Sequence, residues 1–144
     1  MTTRVVVDAS VAIKWIVPEK DAQAARDVAL RHEPIAPQLI YAECTNILWK
    51  KVGRSEMSSE QALAALDLIE TYGIETSSLQ ALAPTALDLS FALDHPAYDC
   101  FYLALSLIEE CDFITADGKL YRKVHARLAP HLARRCRLLG ANAS

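Results

Sequence analysis

The sequence predicts an α/β fold with a mostly parallel central sheet, and three observations carry that expectation. Short apolar runs rich in β-branched residues, such as Val5-Val6-Val7 and Phe113-Ile114-Thr115, alternate with longer stretches of helical period. Cap and turn residues punctuate nearly every boundary between them. The 144 residues suffice for one domain, 1–144, that buries roughly 68–70% of its unfolded surface. Strands that alternate with helices pair in parallel and are covered on both faces.

In chain order, Arg4 to Val7 reads as a buried strand. Asp8 and Ser10 can cap a short helix over Val11 to Ile16, which Pro18 stops, and Glu19 to Arg31 forms an Ala-rich amphipathic helix. Pro34 and Pro37 punctuate a very short strand at Ile35-Ala36, and Pro37 opens the helix Gln38 to Lys51, ended by Gly53. Ser58 or Ser59 caps a helix over Glu60 to Thr71, closed by Gly73, with a strand at Ile74 to Thr76. Ala83 to Leu93 is helical with Pro84 near its start. His95-Pro96-Ala97-Tyr98 is a loop before the helix Asp99 to Glu110. Asp112 to Thr115 is a strand, Asp117-Gly118 turns into a short helix around Lys119 to Val124, and Arg134 to Leu138 is the last strand. No repeat, low-complexity tract or linker interrupts this order.

Composition excludes several classes. The chain is 52% hydrophobic and 23% charged, as ordinary globular proteins are. No apolar run approaches the roughly 18 residues of a membrane span. The first apolar stretch carries Asp8 and Lys14, unlike a signal peptide, so cytoplasmic residence is expected. Cys44, Cys100, Cys111 and Cys136 are scattered, without a C-x-x-C pair, and read as small buried hydrophobes rather than zinc ligands or a redox dithiol. The net charge of −3 is unevenly spread: residues 1–117 hold all 18 acids against 8 basic residues, leaving −10, while the remainder holds 7 basic residues and no acid. Lys119, Arg122, Lys123, Arg134, Arg135 and Arg137 are therefore candidate phosphate contacts; a solvated helix face would have the same composition.

Four carboxylates stand out: Asp8, Glu43, Asp99 and Asp117, each set beside an apolar stretch. A carboxylate among side chains headed for a core is costly unless its charge is compensated. Four of them on separate elements converge only around a cation, which points to a divalent-metal site. Asp8 and Asp117 follow strands directly, so both belong at the carboxyl edge of the sheet, where ligands of open α/β folds bind. Glu43 and Asn46, three apart, share a helix face. Ordinary roles exist too: Asp8 as an N-cap, Asp99 as a first-turn acid, Asp117-Gly118 as a turn and Glu43 facing solvent.

The segments VVVDASVAIKWIVPE, PQLIYAECTNILWK, YDCFYLALS and FITADGKLY, in this order, resemble the successive signature regions of PIN-domain nucleases, and within them the VapC-type toxins of prokaryotic toxin–antitoxin pairs. The resemblance runs from Val5 to about Leu138. It implies a single α/β/α sandwich and an endoribonuclease whose catalytic and metal-binding quartet is Asp8, Glu43, Asp99 and Asp117. Ser10, Thr115 and Asn46 would support that quartet. Mg²⁺ or Mn²⁺, one ion or two, suits such oxygen donors. His95, the nearest histidine, reads as a loop residue. A receiver domain or a haloacid-dehalogenase-like phosphatase fits poorly, since Asp8 has no acidic neighbour and Ser10 stands two residues on. A non-cleaving PIN-like module that binds RNA or protein, and a housekeeping RNase without an antitoxin, are the alternatives. The resemblance further implies a VapB-type antitoxin and a homodimer; Trp15, Ile16, Ile40, Leu48, Trp49 and Leu63 would furnish surplus apolar surface for contacts.

Overall fold

Strand β1 (Thr3–Val7) runs through the middle of a five-stranded sheet in a computed structural model that describes residues 2–141. Val5, Val6 and Val7 are buried, as a strand covered on both faces requires. The chain then winds outward. Helices α1 (Ala9–Ile16) and α2 (Ala22–Arg31) lead to β2 (His32–Pro37), and α3 (Leu39–Gly53) and α4 (Ser59–Glu70) lead to β3 (Glu75–Ser77). It next crosses back over the sheet through α5 (Leu79–Leu93) and α6 (Ala97–Glu109) to β4 (Phe113–Thr115) on the other side of β1. Helices α7 (Gly118–Arg127) and α8 (Pro130–Ala133) precede β5 (Cys136–Leu138). The order is β3-β2-β1-β4-β5, and every pairing is parallel. With right-handed crossovers, α1–α4 cover one face and α5–α8 the other. The α/β/α sandwich expected from the sequence is the fold.

This order creates a switch point between β1 and β4, from which the chain leaves in opposite directions. Crevices at such points lie outside the carboxyl ends of the strands. The register pairs Val6 with Phe113 and Val7 with Ile114, so Asp8 and Thr115 end their strands side by side.

Several boundaries differ from the sequence reading for identifiable reasons. Strand β2 takes in both Pro34 and Pro37; pairing with β3 begins only at Ile35, so Pro34 lies before that ladder. Helix α2 begins at Ala22 rather than Glu19, after Asp21 adopts a left-handed φ of 63°. Pro84 lies inside α5 because the helix starts at Leu79; the carbonyl it leaves without a donor belongs to exposed Gln80, where water can supply one. Ala97 and Tyr98 belong to α6, which places Asp99 in its first turn. The short α8 lies in a stretch that the sequence left unassigned. Asp8 caps α1, while Ser10 lies within the helix and turns its hydroxyl to other use. Ser58 completes a capping box with Gln61 at the start of α4, as its position suggested.

Trp15, Ile40 and Leu48 are not surplus surface: all three are core. Trp15 stacks on Tyr72 at 4.5 Å and donates its indole N–H to the Ala25 carbonyl at 2.9 Å. Trp49 and Leu63 do stand outside, 70% and 67% exposed. No helix among the described residues is long and apolar enough to cross a membrane.

Candidate active site

At the carboxyl ends of β1 and β4, two hydroxyls knit the strands to the first carboxylate. Asp8 is buried and accepts from Ser10 Oγ on one oxygen and from Thr115 Oγ1, at 2.5 Å, on the other. The Val11 amide adds a longer bond of 3.3 Å, the ordinary N-cap interaction of α1. Each hydroxyl also accepts a backbone N–H from the chain leaving β4: Ser10 Oγ from Ala116 and Thr115 Oγ1 from Asp117, both at 3.0 Å. Hydroxyls serve here because only they donate and accept through one atom. Asp117 caps α7, its Oδ1 accepting from Lys119 N at 3.0 Å and Leu120 N at 3.2 Å. No hydrogen bond among the described residues engages its Oδ2.

The other two carboxylates arrive on helices. Asp99 and Tyr102 lie three apart on α6 and so share a face. The Tyr102 hydroxyl donates to Glu43 Oε1 on α3, and its buried ring stacks on Phe113 of β4 with centroids 6.0 Å apart. Glu43, half-buried, is thus anchored by a rigid aromatic donor. Asp99 Oδ2 lies 2.7 Å from His95 Nε2, and Lys123 of α7 donates to the Asp94 carbonyl at 2.7 Å. Asn46 is exposed and joins none of these bonds.

Electrostatics tie the carboxylates together. Burial pushes Asp8 up to about 6, against the pull of Ser10, Thr115 and Val11, and the charge of Asp99 adds to the rise. Burial also raises Glu43; Tyr102 opposes that rise and Asp99 reinforces it. Asp99 therefore acts on both neighbours, as like charges around one cavity do. The thiol of Cys136 is pushed up to about 12 by burial and then by Asp8 and Asp117, which places both carboxylates in its surroundings. Cys44 rises to about 12 for the same kinds of reason. Buried, protonated and unpaired, these cysteines are inert packing groups.

These donors fit a hydrated hard cation better than a tightly caged one. Among the described residues no three His, Cys, Asp or Glu side chains stand close enough to cage an ion directly. Mg²⁺ characteristically keeps several waters and touches one or two carboxylates, so a dispersed oxygen set meets its needs. Charge favours a cation in the same way: Asp8 and Glu43 are each raised by burial and further by the charge of Asp99.

Two residues that matter here escaped the sequence reading. Tyr102 looked like one more apolar position of an amphipathic helix; its spacing of three from Asp99 was the available signal. His95 is indeed a loop residue, yet its side chain is turned onto Asp99, and their spacing of four was the sign. Replacing Tyr102 with Phe should release Glu43, which then ionises at still higher pH. We expect about a tenfold loss of any metal-dependent activity, the lower end of what losing the partner behind a metal-holding carboxylate costs, with the core intact. Unchanged rates at neutral pH would show that Glu43 needs no tether.

The basic residues separate. Lys119 and Arg122 are exposed on α7, and Arg122 folds back over Gly118, where an added Cβ would meet its Nη1 at 2.9 Å. Arg135 and Arg137 are placed at the opposite edge, pairing with Asp112 at 3.7 and 3.3 Å before β4, and Arg134 is exposed nearby. The structure does not bring those three to the carboxylates. Instead, a groove of about 470 Å³ opens beside Ser10 and Asp117, lined by Lys14, Lys50, Lys51 and Arg54 from α1 and α3.

Comparison with known proteins agrees with this geometry. The sequence matches the PIN domain family over residues 5–126. The fold is similar to the crystal structure of PAE2754 from Pyrobaculum aerophilum, with a TM-score of 0.65 at 19% identity, covering 94% of this chain and 98% of that one. Comparison with curated proteins finds no match.

Proposed function

This chain belongs to the PIN domain family, whose members are generally nucleases, and from that premise we propose that it is a metal-dependent endoribonuclease acting as the toxin of a toxin–antitoxin pair. The observation that carries the reading is Asp8, a carboxylate at the switch point, bound by two hydroxyls and raised by burial and then by the charge of Asp99. Such a group is destabilising for the fold alone and is explained by a cation and a reaction. Mg²⁺ or Mn²⁺, one ion or two, would supply an activated water and stabilise the leaving oxygen of a phosphodiester. Asp8, Glu43, Asp99 and Asp117 would hold it. Ser10 and Thr115 fix the orientation of Asp8, and Tyr102 anchors Glu43. Asp117 caps α7 with one oxygen and has the other available.

The preference for RNA, the VapB-type antitoxin and the homodimer rest on the sequence resemblance. Physical support comes from the surface. Trp49 and Leu63 are exposed on neighbouring helices, and a second groove of about 470 Å³, lined by Ile16, Val17, Pro18, Met57 and Leu68, adjoins the basic one at Glu19 and Lys51. An antitoxin tail could lay an apolar stretch in this apolar groove and reach the carboxylates through the basic one.

The decisive experiment sequences RNA ends after brief induction of the wild type beside an Asp8→Asn control, with purified protein assayed in Mg²⁺ and in EDTA. New ends that need both Asp8 and metal would sustain the reading; ends independent of either would end it. Substrate contact has its own test. With Lys50 and Arg54 both changed to Ala, the salt dependence of RNA binding should flatten by about 1.4 in log–log slope, since each phosphate contact on a single strand contributes about 0.7. Turnover at saturating RNA should hold. An unaltered slope in this pair, with a flattened one for Lys119→Ala and Arg122→Ala, would move the phosphate track to α7.

A further inference from the structure

We infer that His95 is a positioning residue that sets the orientation of Asp99, with Lys123 deciding which ring nitrogen carries the proton. The inference rests on the reading of Asp99 as one of the cation-holding carboxylates. The local sequence leaves the Asp99 carboxylate open to such a partner. Asp99 is the third residue of α6, the place from which an acidic side chain ordinarily reaches back to the N-cap amide. Here the N-cap is Pro96, which has no N–H to offer. The carboxylate is thereby left available, and His95, one residue before the cap, takes it at 2.7 Å.

The imidazole is itself held. Asp94 closes α5 in a left-handed conformation, φ 50°, and the His95 amide donates to the Ser90 carbonyl at 3.2 Å. The ring is largely enclosed, its side chain 12% exposed. Lys123 anchors on the Asp94 carbonyl at 2.7 Å and sets its ammonium 3.5 Å from His95 Nδ1. An ammonium has donors only, so Nδ1 is the acceptor and the proton sits on Nε2, facing Asp99 Oδ2. Oδ2 is thereby committed, and Oδ1 remains for the cavity. Since Asp117 caps α7, one rigid helix joins a quartet carboxylate at its N-terminus to the lysine that aligns another. No other hydrogen bond among the described residues restrains the Asp99 carboxylate.

The test measures Mn²⁺ affinity of the purified protein by titration calorimetry, with thermal melts of the metal-free forms alongside. His95→Ala should weaken Mn²⁺ about tenfold, the lower end of what loss of a partner behind a metal ligand costs, and leave the melt near wild type. His95→Gln, whose amide N–H reaches the position of Nε2, should recover most of that affinity. His95→Asn, which is too short, should not. Lys123→Met should weaken Mn²⁺ less than His95→Ala, because the ring is then free to hold either tautomer. Asp99→Asn separates the two levels of argument. If it leaves Mn²⁺ affinity unchanged, the reading of the site falls. If it weakens Mn²⁺ while His95→Ala does not, or if Gln and Asn behave alike at position 95, the site stands and the positioning role of His95 is overturned.

Discussion

Asp8→Asn is expected to reduce cleavage by about a thousandfold or more and, in the same protein, to raise stability when metal is absent. The first effect follows from deleting a ligand charge whose electrostatic work is worth several kcal/mol in the transition state, each 1.36 kcal/mol being tenfold. The second follows from linkage. Asp8 is raised from 3.8 to about 6 in the fold, chiefly by burial. Between those values the folded state keeps a proton that the unfolded chain has lost, so wild-type stability falls as pH rises through that window. Above it, the buried charge costs the metal-free protein up to about 3 kcal/mol, a difference that Asn does not carry. Denaturant unfolding at pH 4 and pH 7 should show the two proteins converging at the lower value and the mutant ahead at the higher. Mg²⁺ should stabilise the wild type at pH 7 more than the mutant. Equal stability at both pH values would mean that Asp8 is not a buried charge.

Glu19→Ala should be the most damaging change outside the core and the carboxylate site, at about 2–3 kcal/mol. Glu19 lies between α1 and α2 and accepts from Lys51 at 2.9 Å and from Lys14 at 3.5 Å. Lys51 comes from α3, with a side chain only 10% exposed, and its other acidic neighbour, Glu56, is 3.8 Å away. Removing one member of a buried pair leaves the other charge uncompensated, at about 3–5 kcal/mol when both are enclosed. Glu19 keeps 30% of its side chain in solvent, which lowers that figure. Burial alone would raise the Glu19 carboxyl, but Lys51 and Lys14 outweigh it and hold it below its ordinary value. This contribution is therefore present at neutral pH and is lost as acid titrates Glu19 in the fold. Lys51→Met should cost less than Glu19→Ala, because it removes the buried charge itself. The reverse order would show that the pair is a solvated surface contact.

What the sequence by itself determined is local. A run such as Val5-Val6-Val7 followed by Asp8, or Phe113-Ile114-Thr115 followed two residues on by Asp117, identifies a buried strand passing into a capped helix. These signals depend on side-chain period and on orphan amides within a few residues, so both aspartates were legible as groups at the carboxyl edge. The parallel alternation followed from the same signals. Prolines misled because their meaning depends on neighbours: Pro34 is tolerated where the β3 ladder has not begun, and Pro84 where the deprived carbonyl meets water.

Only the tertiary structure decided what crosses the sheet. That β1 lies against β4 brings Thr115 to Asp8 across 107 positions, and the packing of α6 brings Tyr102 to Glu43 across 59. Neither pairing leaves a periodic trace, because the free energy of such contacts belongs to the closed fold and not to either segment. Charge shows the same limit. Counted along the chain, the basic residues cluster at its end, yet Arg135 and Arg137 are drawn to Asp112 at the far edge, and the cations lining the groove beside Ser10 and Asp117 come from the acidic part of the chain. Coulombic interaction acts through distance in space, which the strand order sets and sequence separation does not.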